Sequence, residues 1–415
     1  MSLADDAKLL LIPTGYKTSK VYSVFPTDGD GDFDYTRSGD ASRVNPGGLI
    51  ETVGTNIPRI DHLGGGCPTL NLEPQRTNLI LFSEEFSGTN WDTLNTIITS
   101  NTVISPNGTM TANTLQRTST SASYRRNTIS KSASAITYTT SMFIKKGSGN
   151  YFALRTQGLY PSRAIFRFRF DTEEIYNAEE FSNFTILDYG VENYSNGWYR
   201  LHFTYTSDTH TDLRIIFSPR ESNGNVVAPD TSDSSFAYVW GAQTEVGSYV
   251  SSYIKTTTGI ETRQKDQCLN GGDSDLFDIT EGTFFVDTTP FTREATDRIT
   301  LSNNNYNNRI LISKSSSTQL QFIIVSNNST VLSYITNITY NQRNKIAITF
   351  KQNEFKIYLN GLLKYTDTSG SVPTSLNDLS FKGIGSALYW SGKIHDTRVY
   401  DRVLTESEAI ELTTL

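Results

Sequence analysis

The sequence predicts an all-β chain in which an irregular N-terminal segment is followed by two antiparallel β-sandwich domains. Three observations predict it. Apolar and polar residues alternate in the middle and last thirds, which is typical of half-buried strands. An Asn-Gly pair separates two such stretches, as in a tight hairpin. Aromatic residues make up 12% and charged residues only 19% of the 415 residues, with 29 Gly and 12 Pro as turn formers, which excludes coiled coil and disorder.

The irregular segment covers residues 1–78. It carries GGG at 64–66 and prolines at 58, 68 and 74. Its apolar pieces, LLLIP at 9–13, VYSVF at 21–25 and LNLEP at 70–74, are too short and too interrupted to bury a sizeable core alone. We expect them to be covered by copies of the same segment or by a partner protein.

Within this segment, TDGDGDFDYTR at 27–37 places aspartates at positions 28, 30, 32 and 34. Alternate acids around glycines suggest a calcium loop, because a hard cation needs several carboxylate oxygens from one short turn. The helix–loop–helix spacing fails, since the sixth and twelfth positions counted from Asp28 hold Phe33 and Gly39 instead of Gly and Glu. We predict a Gly/Asp turn leading into the strand FDYTR. No cofactor is expected; adventitious calcium at this turn is the alternative.

Residues 79–258 are predicted to form the first sandwich. Its strands include IFRFRF, YRLHFTY and FAYVW, in which every second residue is apolar. The predicted buried faces carry Phe166, Phe168 and Phe170; Tyr199, Leu201, Phe203 and Tyr205; and Phe236, Tyr238 and Trp240.

A polar linker at 259–275 leads into the second sandwich, 276–415. KIAITF is predicted to bury Ile346, Ile348 and Phe350, and FKIYL to bury Phe355, Ile357 and Leu359. The pair Asn360-Gly361 follows directly and predicts a two-residue hairpin, because both residues tolerate positive φ. The last segment, TESEAIEL, predicts a short helix in which Thr405 and Glu408 form a capping box.

Charge and cysteine content limit the partners. The net charge of −7 and the pI of about 5.3 give a nucleic-acid partner no electrostatic basis. No stretch reaches the length of a membrane span, and the N-terminus lacks the basic start and long apolar core of a secretory signal. Cys67 and Cys268 lie far apart in sequence and are expected to be free thiols, as after folding in a cytoplasm.

Two parts of the chain resemble known families. The segment GDFDYTRSGDASRVNPGGLIE, the signature LEPQRTNL and the closing stretch VWGAQTEVGSYVSSYIKT resemble tailed-phage virion proteins in which such a front end precedes a carbohydrate-binding-module-like jelly roll. NKIAITFKQNEFKIYLNGLLKYTD and SGKIHDTRVYDRVLTESEAIEL resemble concanavalin A-like, laminin G-type lectin domains. These resemblances imply an architecture of two jelly-roll sandwiches, and they imply a ligand only weakly, since such sandwiches host many functions.

The sequence gives no catalytic residue. A glycosidase needs two carboxylates at a defined separation, but the acidic residues lie mainly in turns and linkers, and no GxSxG, Walker or zinc spacing is present. Glycan binding needs only an aromatic face and a few amide or carboxylate groups. We therefore predict a carbohydrate-binding site of Tyr389 and Trp390, just before the closing strand, with Asn305 and Tyr306 from the amide-rich loop LSNNNYNNR; core packing of the aromatic pair and a solvated turn are the alternatives.

The resulting hypothesis is a non-enzymatic phage appendage, a tail fibre, spike or head fibre, that binds host-surface glycans. It would be located on the virion, contact other virion proteins through residues 1–78 and form a homotrimer, as the resemblance implies. Two other interpretations remain open: a virion-borne glycan depolymerase, and a purely structural decoration protein of capsid or tail.

Overall fold

The computed structural model describes residues 2–277, 279–292, 297–385 and 388–415. In chain order, the strands of these residues are β1 (Leu9–Leu11), β2 (Tyr16–Lys17), β3 (Lys20–Val21), β4 (Phe33–Thr36), β5 (Ala41–Val44), β6 (Ile50–Val53), β7 (Ile60–Asp61), β8 (Thr69–Leu72), β9 (Arg76–Asn78), β10 (Asp92–Leu94), β11 (Thr96–Val103), β12 (Ala112–Arg117), β13 (Tyr124–Ser130), β14 (Thr137–Lys146), β15 (Tyr151–Gln157), β16 (Arg163–Arg169) and β17 (Glu174–Phe181).

The series continues with β18 (Thr185–Tyr194), β19 (Trp198–Thr206), β20 (Asp212–Arg220), β21 (Phe236–Val246), β22 (Glu261–Arg263), β23 (Gln267–Leu269), β24 (Gly282–Pro290), β25 (Arg298–Ser302), β26 (Arg309–Ser316), β27 (Gln319–Ser326), β28 (Ser329–Asn337), β29 (Asn344–Lys351), β30 (Glu354–Leu359), β31 (Leu362–Asp367), β32 (Asp378–Ser380) and β33 (Gly392–Tyr400). The α-helices of the described residues are α1 (Ser274–Phe277) and α2 (Glu406–Thr413), and a 3-10 turn spans Ser195–Gly197. The predicted all-β class is confirmed.

The chain divides into two compact units. Unit 1 consists of residues 1–40, 53–75 and 264–415, and unit 2 of residues 41–52 and 76–263. The predicted domains, with an anchor at 1–78 and a linker at 259–275, differ from this division. The difference arises because the short strands of both stretches pair with distant ones: β1 and β8 pair with β33, β4 with β23, and β9 with β22.

Unit 1 is a β-sandwich with an added small sheet. Its described strands form one sheet in the order β31-β30-β29-β24-β33-β8-β7, with β1 also on β33, a second in the order β28-β27-β26-β25-β32, and a third in the order β2-β3-β4-β23. All three contribute to one core, for example through Phe284 of β24, Phe322 of β27 and Phe33 of β4. Two apolar inner faces packed on each other are what hold such a sandwich together.

The core of unit 1 also buries apolar residues of the predicted anchor. Leu9, Leu11, Val21, Leu70 and Leu72 are all at most 1% exposed and belong to this core. The expectation that these pieces need a cover from another chain is therefore wrong, because the C-terminal sandwich of the same chain covers them.

Local signals of the second sandwich are confirmed. Asn360 (φ 51°) and Gly361 (φ 77°) form the hairpin turn between β30 and β31, and the six predicted core residues of KIAITF and FKIYL are buried in one cluster. At α2, the Thr405 side chain accepts from the Glu408 backbone N–H, and the Glu408 carboxylate accepts from the Thr405 N–H at 2.7 Å.

Unit 2 is a second sandwich, whose two six-stranded sheets have the strand orders β10-β13-β20-β15-β16-β17 and β11-β12-β21-β14-β19-β18, and β9 and β22 form a further two-stranded sheet. The six-stranded sheets share one aromatic core, in which the rings of Phe166 and Phe203 stack at 4.1 Å between centroids. The predicted inward faces of IFRFRF and YRLHFTY are confirmed, with Tyr199 only partly buried.

The predicted core face of FAYVW is wrong. Ala237 and Val239 point into the core, whereas Phe236 and Tyr238 lie half-buried on the other face of β21. Trp240 is 1% exposed but packs edge-on against Phe143 at 5.2 Å between ring centroids, outside the core cluster. The predicted strand is confirmed, but tertiary packing turns its small residues inward.

Candidate functional site

The predicted carbohydrate-binding residues lie in unit 1. Asn305 and Tyr306 belong to the loop that joins β25 to β26, and Tyr389 and Trp390 precede β33. We call the loop 303–308 the amide loop. Its ends are tied by the Asn303 N–H, which donates to the Asn308 carbonyl at 3.2 Å. This closes the hairpin and holds the middle of the loop away from the sheet.

Trp390 is not a surface residue, so its prediction as a sugar-binding residue is wrong. Its side chain is 1% exposed and belongs to the core of unit 1. The indole Nε1–H donates to Thr288 Oγ1 at 3.3 Å, and the buried Lys314 ammonium lies 4.9 Å from the ring centroid. A ring with these neighbours has no face for a sugar, and burial of its large apolar surface explains the position.

Tyr306 lies at the surface and is held there from two sides. Its side chain is 52% exposed, and its hydroxyl donates to the Ile384 carbonyl at 2.8 Å. The Arg309 guanidinium lies 5.3 Å from the ring centroid, within the range of a cation–π contact. The ring is therefore fixed in orientation before any ligand arrives, which lowers the entropic cost of binding.

Asn305 next to it is exposed. Its Oδ1 accepts from the Asn307 backbone N–H at 2.8 Å, an Asx turn that fixes the side chain. Within the described part of the chain, no acceptor bonds the Nδ2 donors of Asn305. The amide can therefore donate to a ligand hydroxyl.

Tyr389 is half-buried between two lysines. The Lys265 ammonium lies 4.0 Å and the Lys382 ammonium 5.2 Å from its ring centroid. Its backbone forms isolated bridges with Arg298 and Lys382. The ring is therefore rigidly placed, but cations occupy part of the space that a sugar ring would need.

The segment 382–385 contacts both tyrosines. Tyr306 bonds the carbonyl of Ile384, and Tyr389 pairs with Lys382. We call Asn305, Tyr306, Tyr389, Lys265 and Lys382 the loop site. It offers aromatic carbon, an amide donor and ammonium groups, which are the groups that hold polar ligands such as sugars.

The predicted site residues do not include the cations beside the two tyrosines, which are Arg309 at Tyr306 and Lys265 and Lys382 at Tyr389. Arg309 lies three residues after Tyr306, so its spacing was a signal that could have been used. Lys265 lies in the predicted polar linker, and only the pairing of β23 with β4 and the fold of unit 1 bring it to Tyr389.

The aspartates of the 27–37 turn do not converge on one point. Asp32 Oδ1 accepts from the Ser23 N–H at 2.9 Å, and Asp34 pairs with Lys20 at 2.9 Å. The Asn270 side chain and Lys20 lower the pKa of Asp34, whereas Asp28 raises the pKa of Asp30. Among residues 2–277, 279–292, 297–385 and 388–415, no group of three or more His, Cys, Asp or Glu is placed to hold a metal ion.

One pair of carboxylates in unit 1 bears on the hydrolase alternative. Asp287 and Asp396 lie opposite each other on β24 and β33, and burial, helped by Asp287, raises the pKa of Asp396. Each is bound by an arginine at two oxygens, Asp287 by Arg343 at 2.8 and 2.6 Å and Asp396 by Arg398 Nε at 3.1 and 2.9 Å. Bidentate ion pairs of this kind use the oxygens that a general acid or base would need.

Residues 277–409 match the family described as Concanavalin A-like lectin/glucanases superfamily. The lectin-type resemblance of the C-terminal sandwich is thereby confirmed over that range. No curated protein matches the chain. No helix in the described portion is long and apolar enough to cross a membrane.

Several solved structures are similar to parts of the chain. They include the CBM40 of the Ruminococcus gnavus IT-sialidase bound to alpha2,3 sialyllactose (17% identity, 32% of this chain and 83% of that chain, TM-score 0.28). Domain 4 of AbnA, a GH43 extracellular arabinanase from Geobacillus stearothermophilus in complex with arabinotriose, is similar at 16% identity (41% of this chain, 83% of that chain, TM-score 0.30). A heptameric SAP-like pentraxin from Limulus polyphemus is similar at 18% identity (32% of this chain, 69% of that chain, TM-score 0.27). TM-scores of this size do not establish a shared fold.

Proposed function

We propose that this chain binds host-surface glycans without cleaving them, as an appendage of a tailed-phage particle. The observation that carries the glycan part is the match of residues 277–409 to the lectin/glucanase superfamily. The loop site supports it with groups suited to sugars: a fixed, half-exposed Tyr306 and the free amide donors of Asn305. The non-enzymatic part is supported by the arginines that bind Asp287 and Asp396.

The virion part of the proposal rests on the front-end signatures, GDF at 31–33 and LEPQRTNL at 72–79. The protein would be displayed on the particle and contact other virion proteins through residues 1–78. Trimeric assembly is proposed from the same resemblance alone, since the apolar pieces of that segment are buried within unit 1. Light scattering on the full chain at micromolar concentration would show three copies; a monomer would contradict the trimer.

A glycan array probed with the full-length protein tests binding. Tyr306→Ala should weaken binding to the array's best ligand about fivefold, because a rigid aromatic contact of this kind contributes about 1 kcal/mol. Tyr189→Ala is the matched control, since Tyr189 is a similarly exposed tyrosine, at 45%, in unit 2. Equal losses in both variants, or none in Tyr306→Ala, would contradict the role of the loop site.

The depolymerase alternative is tested separately. The wild-type protein is incubated with purified capsular polysaccharide, and new reducing ends are measured. We expect none. If the wild-type protein produces reducing ends and the variants Asp287→Asn and Asp396→Asn do not, the chain is an enzyme and the non-enzymatic part of the proposal is wrong.

A further inference from the structure

A second candidate site lies in unit 2, on the outer face of the sheet that contains β15 and β16. In the register of these strands, Gln157 lies opposite Arg163 and Arg155 opposite Ile165. Their neighbours Leu154 and Phe166 belong to the core. Because side chains alternate along a strand, Arg155, Gln157 and Arg163 share the face that points away from the core.

Most arginines of this face have a carboxylate partner. These ion pairs are Arg126–Asp92 at 2.7 Å, Arg167–Glu179 at 3.0 Å, Arg169–Asp171 at 3.2 Å and Arg214–Asp212 at 3.7 Å. Arg155 and Arg163 differ from them: across residues 76–263, all of which the structure describes, no carboxylate forms an ion pair with either. Two neighbouring positive charges on this face are thus not neutralised by the protein.

Arg155 is the more unusual of the two because it is buried. Its side chain is only 6% exposed, one terminal nitrogen donates to Gln157 Oε1, and its Nε has no hydrogen-bond partner. Burial, with a further contribution from Arg163, lowers the pKa of Arg155 to about 10. A buried guanidinium without an acid is costly in a folded protein, and such groups concentrate at ligand sites.

Two tyrosines and Arg163 border this guanidinium. Tyr124 and Tyr160 lie close enough to Arg155 to influence its pKa, and Tyr160 is 67% exposed. The Arg163 guanidinium lies 5.1 Å from the Tyr160 ring centroid and 3.8 Å from that of Phe181, and its Nη1 donates to the Pro161 carbonyl at 2.8 Å. Exposed aromatic carbon beside two unneutralised guanidinium groups suits a ligand that has both an anionic group and a ring with C–H faces.

We infer that Arg155 and Arg163 bind the carboxylate of an acidic saccharide, with Tyr160 against its sugar ring. The planar fork of arginine matches a carboxylate with two hydrogen bonds. The saccharide part of this inference rests on the proposed function; the anion part rests on these two arginines alone.

The experiment uses the full-length protein and a panel of uronate- and sialate-containing oligosaccharides, each beside its carboxyl-reduced, neutral counterpart. Calorimetric titration should show acidic members binding at least tenfold more tightly than their counterparts, since hydrogen bonds between charged partners are the strong ones. Sulfated oligosaccharides form a third arm and distinguish a carboxylate from a sulfate ester. If no acidic member binds more tightly than its reduced counterpart, the inference is wrong; a preference for sulfate alone would also overturn the carboxylate assignment.

Variants separate a ligand role from a structural one. Arg155→Gln and Arg163→Gln should each lower affinity for the best acidic ligand about tenfold or more. Arg169→Gln is the matched control, because Arg169 lies on the same face and on the strand of Arg163, and Asp171 and Glu174 already pair with it. Removing the unpaired buried charge should leave the Tm of Arg155→Gln unchanged or raise it. A lower Tm with unchanged affinity would make Arg155 a structural residue and refute the inference.

Failure of this inference and failure of the proposed function give different results. Tyr306→Ala tests unit 1, and the arginine variants test unit 2. Neutral glycans that bind through Tyr306, with no difference between acidic ligands and reduced counterparts, would overturn the inference and leave the proposed function in place. Binding of acidic saccharides that depends on Arg155 but not on Tyr306 would support the inference and contradict the loop site.

Discussion

The buried ion-pair network around Asp266 offers the sharpest test of how unit 1 is held together. Asp266 and its partners Arg37 and Arg59 have fully buried side chains. Arg59 bonds both carboxylate oxygens, Arg37 Nη1 lies 3.4 Å from Oδ1, and the Glu73 N–H donates to Oδ2 at 2.9 Å. The Tyr35 hydroxyl also donates to Oδ1.

Asp266→Asn removes the charge but keeps the shape. Arg59 would retain one acid, Glu73 at 2.8 Å, while Arg37 would lose its carboxylate. Breaking a buried ion pair by removing one partner costs about 3–5 kcal/mol. The equilibrium constant for opening of unit 1 should therefore rise about a hundredfold or more. Unit 2 has its own core and should be unaffected.

The assay is thiol alkylation in the native state. Cys67 is exposed and Cys268 buried, and both are free. Burial raises the pKa of the Cys268 thiol well above its ordinary value. In the folded state this thiol is therefore protected from alkylation in two ways, because the reagent cannot reach it and because it stays protonated. In a Cys67→Ser background, the alkylation rate of Cys268 therefore reports the opening of unit 1.

The control is Asp34→Asn, which removes a largely exposed ion pair with Lys20 from the same unit, with side chains 38% and 45% exposed. Exposed pairs contribute about 1 kcal/mol or less, so the rate should rise fivefold at most. If Asp266→Asn raises the Cys268 rate no more than this control, the network does not stabilise unit 1 and the reasoning is refuted.

Three further predictions concern unit 1. Burial raises the pKa of Asp378 to about 6; because this favours the protonated form in the folded state, stability should fall as pH rises from about 4 to about 6, by about 3 kcal/mol at most. Asp378→Asn should flatten that dependence in calorimetric Tm values, and an unchanged slope would contradict it. Replacing Asp28 and Asp30 by Asn should leave the Tm unchanged, and millimolar calcium should not raise the wild-type Tm; a rise of several degrees in the wild type alone would establish a calcium site. Cys67 and Cys268 should both react with a thiol reagent in a non-reducing, denatured sample, and fewer than two reactive thiols per chain would show oxidation.

The sequence by itself determined the features that depend on a few neighbouring residues. Asn360-Gly361 specified its hairpin because positive φ at two successive positions is a local requirement. Thr405 and Glu408 specified the start of α2 because a capping box spans three residues. Alternation in IFRFRF and KIAITF specified strands with one buried face, since successive side chains point to opposite sides.

The face that a strand turns inward was decided by tertiary packing. In FAYVW the alternation is compatible with burial of either face of the strand, and in the structure Ala237 and Val239 point toward the core. Phe143 and Tyr253 pack on Trp240 from the other side. Burial energy depends on which surfaces lie opposite, and those surfaces come from strands distant in sequence.

The same reason explains why the predicted anchor at 1–78 and the predicted linker differ from the two units of the structure, and why no pattern in the sequence indicates Arg155. Short strands such as β8 and β23 have no stability alone; long-range pairing with β33 and β4 makes them part of a sheet. An arginine's lack of an acid partner is likewise invisible in sequence, because partners such as Asp92 of Arg126 and Glu179 of Arg167 are assigned only when β10 pairs with β13 and β16 with β17. Local geometry determined the strands and turns of this protein, and three-dimensional contacts decided which charges have no acid partner.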